Sequence, residues 1–136
     1  MQVSQIMTPD PDTARLQDTL QVVAAKMNNG DYGSMPVIDG GRLVGVVTDR
    51  DIAVRAVAQG LGPDTEVSGV MTPDPVCVSA DSDVGDAAEI MQQEQIRRIF
   101  VTDDQERLVG VIALADVALG EDEELSGQTL EEISQA

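Results

Sequence analysis

The chain has 136 residues, of which 42% are hydrophobic, and its 25 acidic against 8 basic side chains give a formal net charge of −17. That is enough apolar material for one globular domain, with no apolar run long enough to cross a bilayer and no secretory signal before Met7, so a cytoplasmic protein away from membranes is expected. So few cations argue against nucleic acid, and a single cysteine with no histidine argues against a disulfide framework or a zinc cluster.

In chain order, Leu16, Leu20, Val23, Ala24 and Met27 recur at helical spacing, and Asn28-Asn29-Gly30 supplies a stop. Apolar runs at 35–38 and 43–47 flank Asp39-Gly40-Gly41-Arg42, which predicts a hairpin of two strands. A helix follows over about 49–58, with Ile52, Ala53, Ala56 and Val57 on one face. Gly60-Leu61-Gly62-Pro63-Asp64 is a joint, and 67–71 reads as a short connecting helix. The order then returns: a strand at 76–78, a helix at about 83–94, strands at 99–102 and 108–112, and a helix from about Leu114.

The return is literal. Met7-Thr8-Pro9-Asp10-Pro11 recurs as Met71-Thr72-Pro73-Asp74-Pro75, and Arg42-Leu43-Val44-Gly45-Val46 recurs as Arg107-Leu108-Val109-Gly110-Val111, with Asp51 answered by Asp116. The expected fold is α+β, two β-α-β-β-α repeats packed with pseudo-two-fold symmetry, over residues 1–62 and 63–120. Units of about 60 residues are marginal alone, so the copies are expected to share one fold. Residues 121–136, opening with Glu121-Asp122-Glu123-Glu124, are too charged to pack and are expected to form an acidic tail.

The chemistry concentrates where a strand runs into a helix at Val47-Thr48-Asp49-Arg50-Asp51. Free backbone N–H groups and the positive end of a helix dipole favour an anion there. Thr48 adds a hydroxyl, Arg50 and Arg55 add charge, and the Asp51 carboxylate can accept both hydroxyl protons of a ribose. Thr48 to Asp51 also has capping-box spacing and would serve to start the helix without any ligand. The second copy replaces the cap hydroxyl by Ala113 yet keeps Asp116, which a capping role alone does not explain.

These residues resemble the paired cystathionine β-synthase domains, known as CBS pairs or Bateman modules. The resemblance is carried by Met-Thr-Pro at 7–9 and 71–73, by Met35-Pro36-Val37-Ile38, and by Gly45-Val46-Val47-Thr48-Asp49-Arg50-Asp51-Ile52, which is similar to the family's Gly-h-h-Thr-x-x-Asp-h signature, h being apolar. It implies a non-catalytic sensor that binds an adenosine-containing ligand (AMP, ADP, ATP or S-adenosylmethionine) in inter-repeat clefts, pairs into homodimers and signals to a regulated protein by a shape change. It moves Asp51, and with less force Asp116, towards ribose, and adds Pro36 and Val37 to the nucleotide-binding set. Arg97-Arg98 stand where family repeats often carry an arginine pair near phosphates, while a solvated ion pair would account for them equally. Phe100 replaces the usual proline and is read as core.

No cofactor is required on this reading, and magnesium at Asp49 and Asp51 is expected only as the companion of a triphosphate. Cys77 and the methionines at 7, 27, 35, 71 and 91 are read as packing residues, and without histidine no acid–base pair stands out for catalysis. A ligand-free interaction or dimerisation module with vestigial clefts is the alternative.

Overall fold

The computed structural model describes residues 1–118, so the expected tail at 121–136 lies outside the described residues. The chain forms two units that interleave along the sequence: one holds Pro11–Val76 with Asp104–Leu108, the other Met1–Asp10, Cys77–Asp103 and the chain from Val109.

In the first unit, β2 (Ala14–Arg15), β3 (Ser34–Asp39), β4 (Arg42–Thr48) and β5 (Thr72–Pro73) lie in the order β2-β3-β4-β5. β2 is parallel to β3, and the other pairs are antiparallel. Helix α1 (Leu20–Gly30) starts at Thr19, whose Oγ1 accepts the Val22 N–H at 3.3 Å, and turns Leu20, Val23 and Met27 into a core with Met35, Val37 and Val47. Gly40 and Gly41, at φ 59° and 82°, make the two-residue turn whose positive φ values match strand twist.

In the second unit the order is β1-β8-β7-β6, built from β1 (Thr8–Pro9), β6 (Cys77–Ser79), β7 (Arg98–Thr102) and β8 (Leu108–Ala113). Helix α3 (Val84–Gln93) is capped by Asp83, which accepts the Gly85 N–H at 2.9 Å. Val84, Ala87 and Met91 face Ile99, Val101 and Ile112, and a further helix begins over 114–118.

The repeated motifs find each other. The first Met-Thr-Pro supplies β1 to β8 of the second repeat, and the second Met-Thr-Pro supplies β5 to β4 of the first. Each methionine lies over the glycine of the partnered strand, Met7 over Gly110 and Met71 over Gly45, where any Cβ would overlap the thioether. Asp10 and Asp74 turn the chain away in the left-handed region, at φ 50° and 49°, and their N–H groups donate to Val109 O and Val44 O.

Several expectations need correction. The helix expected over 49–58 is α2 (Asp49–Asp51), then a π turn over Ile52–Ala56 and a 3-10 turn over Val57–Gln59. Only Ala56 is fully buried, Ile52 is half-buried, and Ala53 and Val57 face outward, because the wider turn changes the register of the face. The connecting helix is a 3-10 turn, Val67–Gly69. α1 is terminated by Asp31 at φ 56°, with Gly30 still helical. β6 begins at Cys77, and that thiol is exposed, contrary to the packing role expected for it. Met7 and Met71 are half-buried, while Met27, Met35 and Met91 are buried and Phe100 is 8% exposed.

Candidate functional site

At the β4–α2 junction Thr48 keeps extended dihedrals, φ −111° and ψ 163°, and ends the strand as it caps the helix. Its Oγ1 accepts the Asp51 N–H at 3.0 Å, and Asp51 Oδ2 accepts the Thr48 N–H at 3.0 Å. The capping box is therefore formed, and it fixes the Asp51 carboxylate with one oxygen committed. The other oxygen, Oδ1, lies 3.7 Å from Arg55 Nε, and the Asp51 side chain is 17% exposed. Arg55 also donates from Nη1 to Val70 O at 3.4 Å and to Thr72 Oγ1 at 3.3 Å. Asp49 turns Oδ1 to the Arg50 N–H at 2.8 Å, its own N–H donates to Gly33 O at 3.1 Å, and Arg50 is exposed.

The structure thus gathers Thr48, Asp51 and Arg55 at one junction, with Arg50 on the same turn. Pro36 and Val37 lie on the neighbouring strand β3, both buried, Val37 opposite Gly45 on one side and Ala14 on the other. Val37 packs in the core of this unit, and Pro36, next along the strand, is buried on the other face of the sheet.

The second repeat preserves half of the arrangement. Asp116 Oδ2 accepts the Ala113 N–H at 3.4 Å, so the acid closes on the strand end even without the hydroxyl. Loss of the threonine therefore does not by itself separate a capping acid from a ligand-binding one, contrary to what the retained Asp116 suggested in the sequence. The Leu114 N–H donates to Arg97 O at 2.8 Å, as Asp49 does to Gly33 O in the first repeat. Exposed Arg97 and Arg98 hence stand beside the start of the second helix, where the first repeat has Gly33 and Ser34. The two junctions carry their cations differently, on the helix in the first and on the adjoining strand in the second.

One pairing escaped the sequence. The partners of Arg55 are 15 and 17 residues away and leave no local signal. An apolar groove of about 340 Å³ also runs between α1 and the turns that follow α2, lined by Leu20, Ala24, Ile52, Ala56, Val57 and Leu61. Val57 is 68% exposed at its edge, and Val22 and Val54 are exposed too. Among the described residues no three His, Cys, Asp or Glu side chains gather as a metal site, and no helix is long and apolar enough to cross a membrane.

With this geometry in place, comparison with known proteins is decisive on kinship. The CBS domain model matches residues 3–57 and again 67–120. The chain belongs to the CBS domain family. It is a tandem CBS pair, 39% identical over 133 residues to CBS domain-containing protein YhcV of Bacillus subtilis, which covers 97% of this chain and 94% of the relative. Hypoxic response protein 1 of Mycobacterium tuberculosis is 36% identical over 103 residues, 74% of this chain and 71% of the relative. A crystal structure of Hypoxic Response Protein I with two coordinated zinc ions matches this CBS pair with a TM-score of 0.79 at 31% identity, covering 87% of this chain and 97% of that one. CBS domain protein PAE2072 from Pyrobaculum aerophilum, complexed with AMP, matches with a TM-score of 0.75 at 29% identity, covering 85% of this chain and 89% of that one.

Proposed function

We propose that this CBS pair is a non-catalytic regulatory module that binds an adenosine-containing ligand at its strand–helix junctions and passes the event to a partner protein by a change of shape. The observation that carries the reading is the Asp51 carboxylate. The capping box holds it in place through Oδ2 and leaves Oδ1, which Arg55 faces, as an acceptor for ribose hydroxyls, with Arg55 and the exposed Arg50 of the same turn to meet a phosphate. The AMP held by PAE2072, a 29% identical relative in structure, supports the same class of ligand. Asp116 with Arg97 and Arg98 forms the second and weaker site, because the junction there lacks the hydroxyl and basic residues on its helix. A ligand shifts a conformational equilibrium only by its differential affinity, so the nucleotide must prefer one shape.

The groove favours pairing with a second copy of this chain, which would cover Ile52, Val57 and Leu61 in a symmetric contact. It also sustains the alternative reading, in which this surface is the function and both acids merely cap helices. Melting curves with millimolar AMP, ADP, ATP and S-adenosylmethionine separate the two. A ligand at about 100 times its dissociation constant adds roughly 2.7 kcal/mol and moves the melt by several degrees. No shift with any of the four supports the interaction module instead.

A further inference from the structure

Arg55 touches both the proposed ligand carboxylate and a distant stretch of the chain. It sits in the π turn Ile52–Ala56, an interruption of helical geometry of the kind that recurs at functional positions. Its Nε faces Asp51 Oδ1 at 3.7 Å, while Nη1 is shared between Val70 O at 3.4 Å and Thr72 Oγ1 at 3.3 Å. Val70 is a core residue, and Thr72 begins β5, a strand of two residues held to β4 at Gly45 and Val46 and, just beyond, by the Asp74 N–H on Val44 O at 3.2 Å. Since Oδ2 of Asp51 is occupied by the Thr48 N–H, the oxygen left for a ribose is the one that Arg55 faces. A phosphate competes for the same guanidinium with stronger, charge-assisted hydrogen bonds.

We propose that Arg55 is a positioning residue that ties the Asp51 carboxylate to β5, so that a nucleotide seated at Asp51 draws Arg55 away from Val70 and Thr72 and loosens β5 on the edge of the sheet. The coupling rests on the nucleotide-binding reading above, whereas the tie between Arg55 and β5 stands without a ligand. It gives the signal a physical route, from a bound ribose and phosphate through one side chain to the segment that the second Met-Thr-Pro motif contributes.

Hydrogen exchange of the full chain, followed in peptides covering residues 70–76 and read at the Asp74 amide, tests both parts. Without ligand, Arg55→Leu should exchange there about fivefold faster than wild type, the effect expected of losing a net hydrogen bond. Saturating wild type with AMP should speed the same amides by a similar factor, and saturating Arg55→Leu should add nothing further. Unchanged exchange in ligand-free Arg55→Leu overturns the tie, and an equal AMP response in both proteins overturns the coupling. Should Arg55→Leu fail to fold by circular dichroism, Arg55→Lys decides the matter, because a single ammonium cannot span carboxylate, carbonyl and hydroxyl as the guanidinium does. If calorimetry finds no AMP binding to wild type, the exchange comparison uses whichever of ADP, ATP or S-adenosylmethionine binds; if none of the four binds, the nucleotide reading and the coupling fall together, and the ligand-free comparison alone judges the tie.

Discussion

Asp51 commits Oδ2 to the cap, while the proposed ligand would use Oδ1, and substitutions can separate the two. Removing the hydroxyl in Thr48→Ala takes the acceptor from the Asp51 N–H and should cost about 1 kcal/mol of stability in urea, the usual worth of a lost cap. It should leave Oδ1 in place. Gly45 is the other tightly constrained residue, because a side chain there meets Met71. Gly45→Val should destabilise by about 1–3 kcal/mol, and the double variant with Met71→Ala should recover part of that loss in the same urea titration. Full additivity of the two changes would contradict the contact. Asp83 is exposed, and its carboxyl is held below its ordinary value by the Gly85 N–H and, next, by the Met1 ammonium. Because the folded value is the lower one, this stabilisation is present above the unfolded value, near pH 4, and is lost as pH falls through the folded one. Asp83→Asn should therefore lose less stability than wild type on acidification below about pH 4.

The exchanged strands β1 and β5 make each repeat depend on residues from the other. Val3 is fully buried in the second unit, and its N–H donates to Ser82 O at 2.8 Å while that of Ser4 donates to Ala80 O at 3.1 Å. A chain starting at Val67 lacks Val3 and β1, and it should give no cooperative melt by circular dichroism until the peptide of residues 1–10 is added. A sharp melt of the fragment alone would show that the exchange is dispensable. These same strands were illegible in the sequence, since β1, β2 and β5 have two residues each and owe their pairing to strands far along the chain. Helices α1 and α3 were legible because an apolar face of helical period and a capping side chain agree, and the β3–β4 hairpin because Gly-Gly parts two apolar runs. The π turn was not, as its register follows from how Ala56 packs in the core rather than from local propensity. At the site, Thr48 to Asp51 could be read directly, but whether the motif capped a helix or met a ligand could not; the folded chain forms the cap through Oδ2 and turns Oδ1 towards Arg55.

For the molecule as a whole, charge and apolar surface oppose one another. A net charge of −17 per chain resists self-association, while the groove beside α1 invites it. A dimer held by that groove should tighten with salt, as screening weakens the repulsion. Light scattering at low micromolar protein should give about twice the 14.4 kDa of one chain, with more dimer at higher ionic strength. A mass near 14.4 kDa at every salt concentration would contradict the pairing. Recognition of an adenosine-containing ligand through Asp51 can be measured by calorimetric titration of wild type, Asp51→Ala and Asp116→Ala, each confirmed as folded. Wild type should bind at least one of AMP, ADP, ATP or S-adenosylmethionine, Asp51→Ala should weaken binding by about tenfold to a hundredfold, the worth of a hydrogen bond to a charged group, and Asp116→Ala should weaken it less. Wild-type affinity in both variants, or no heat from any of the four ligands with wild type, would contradict it.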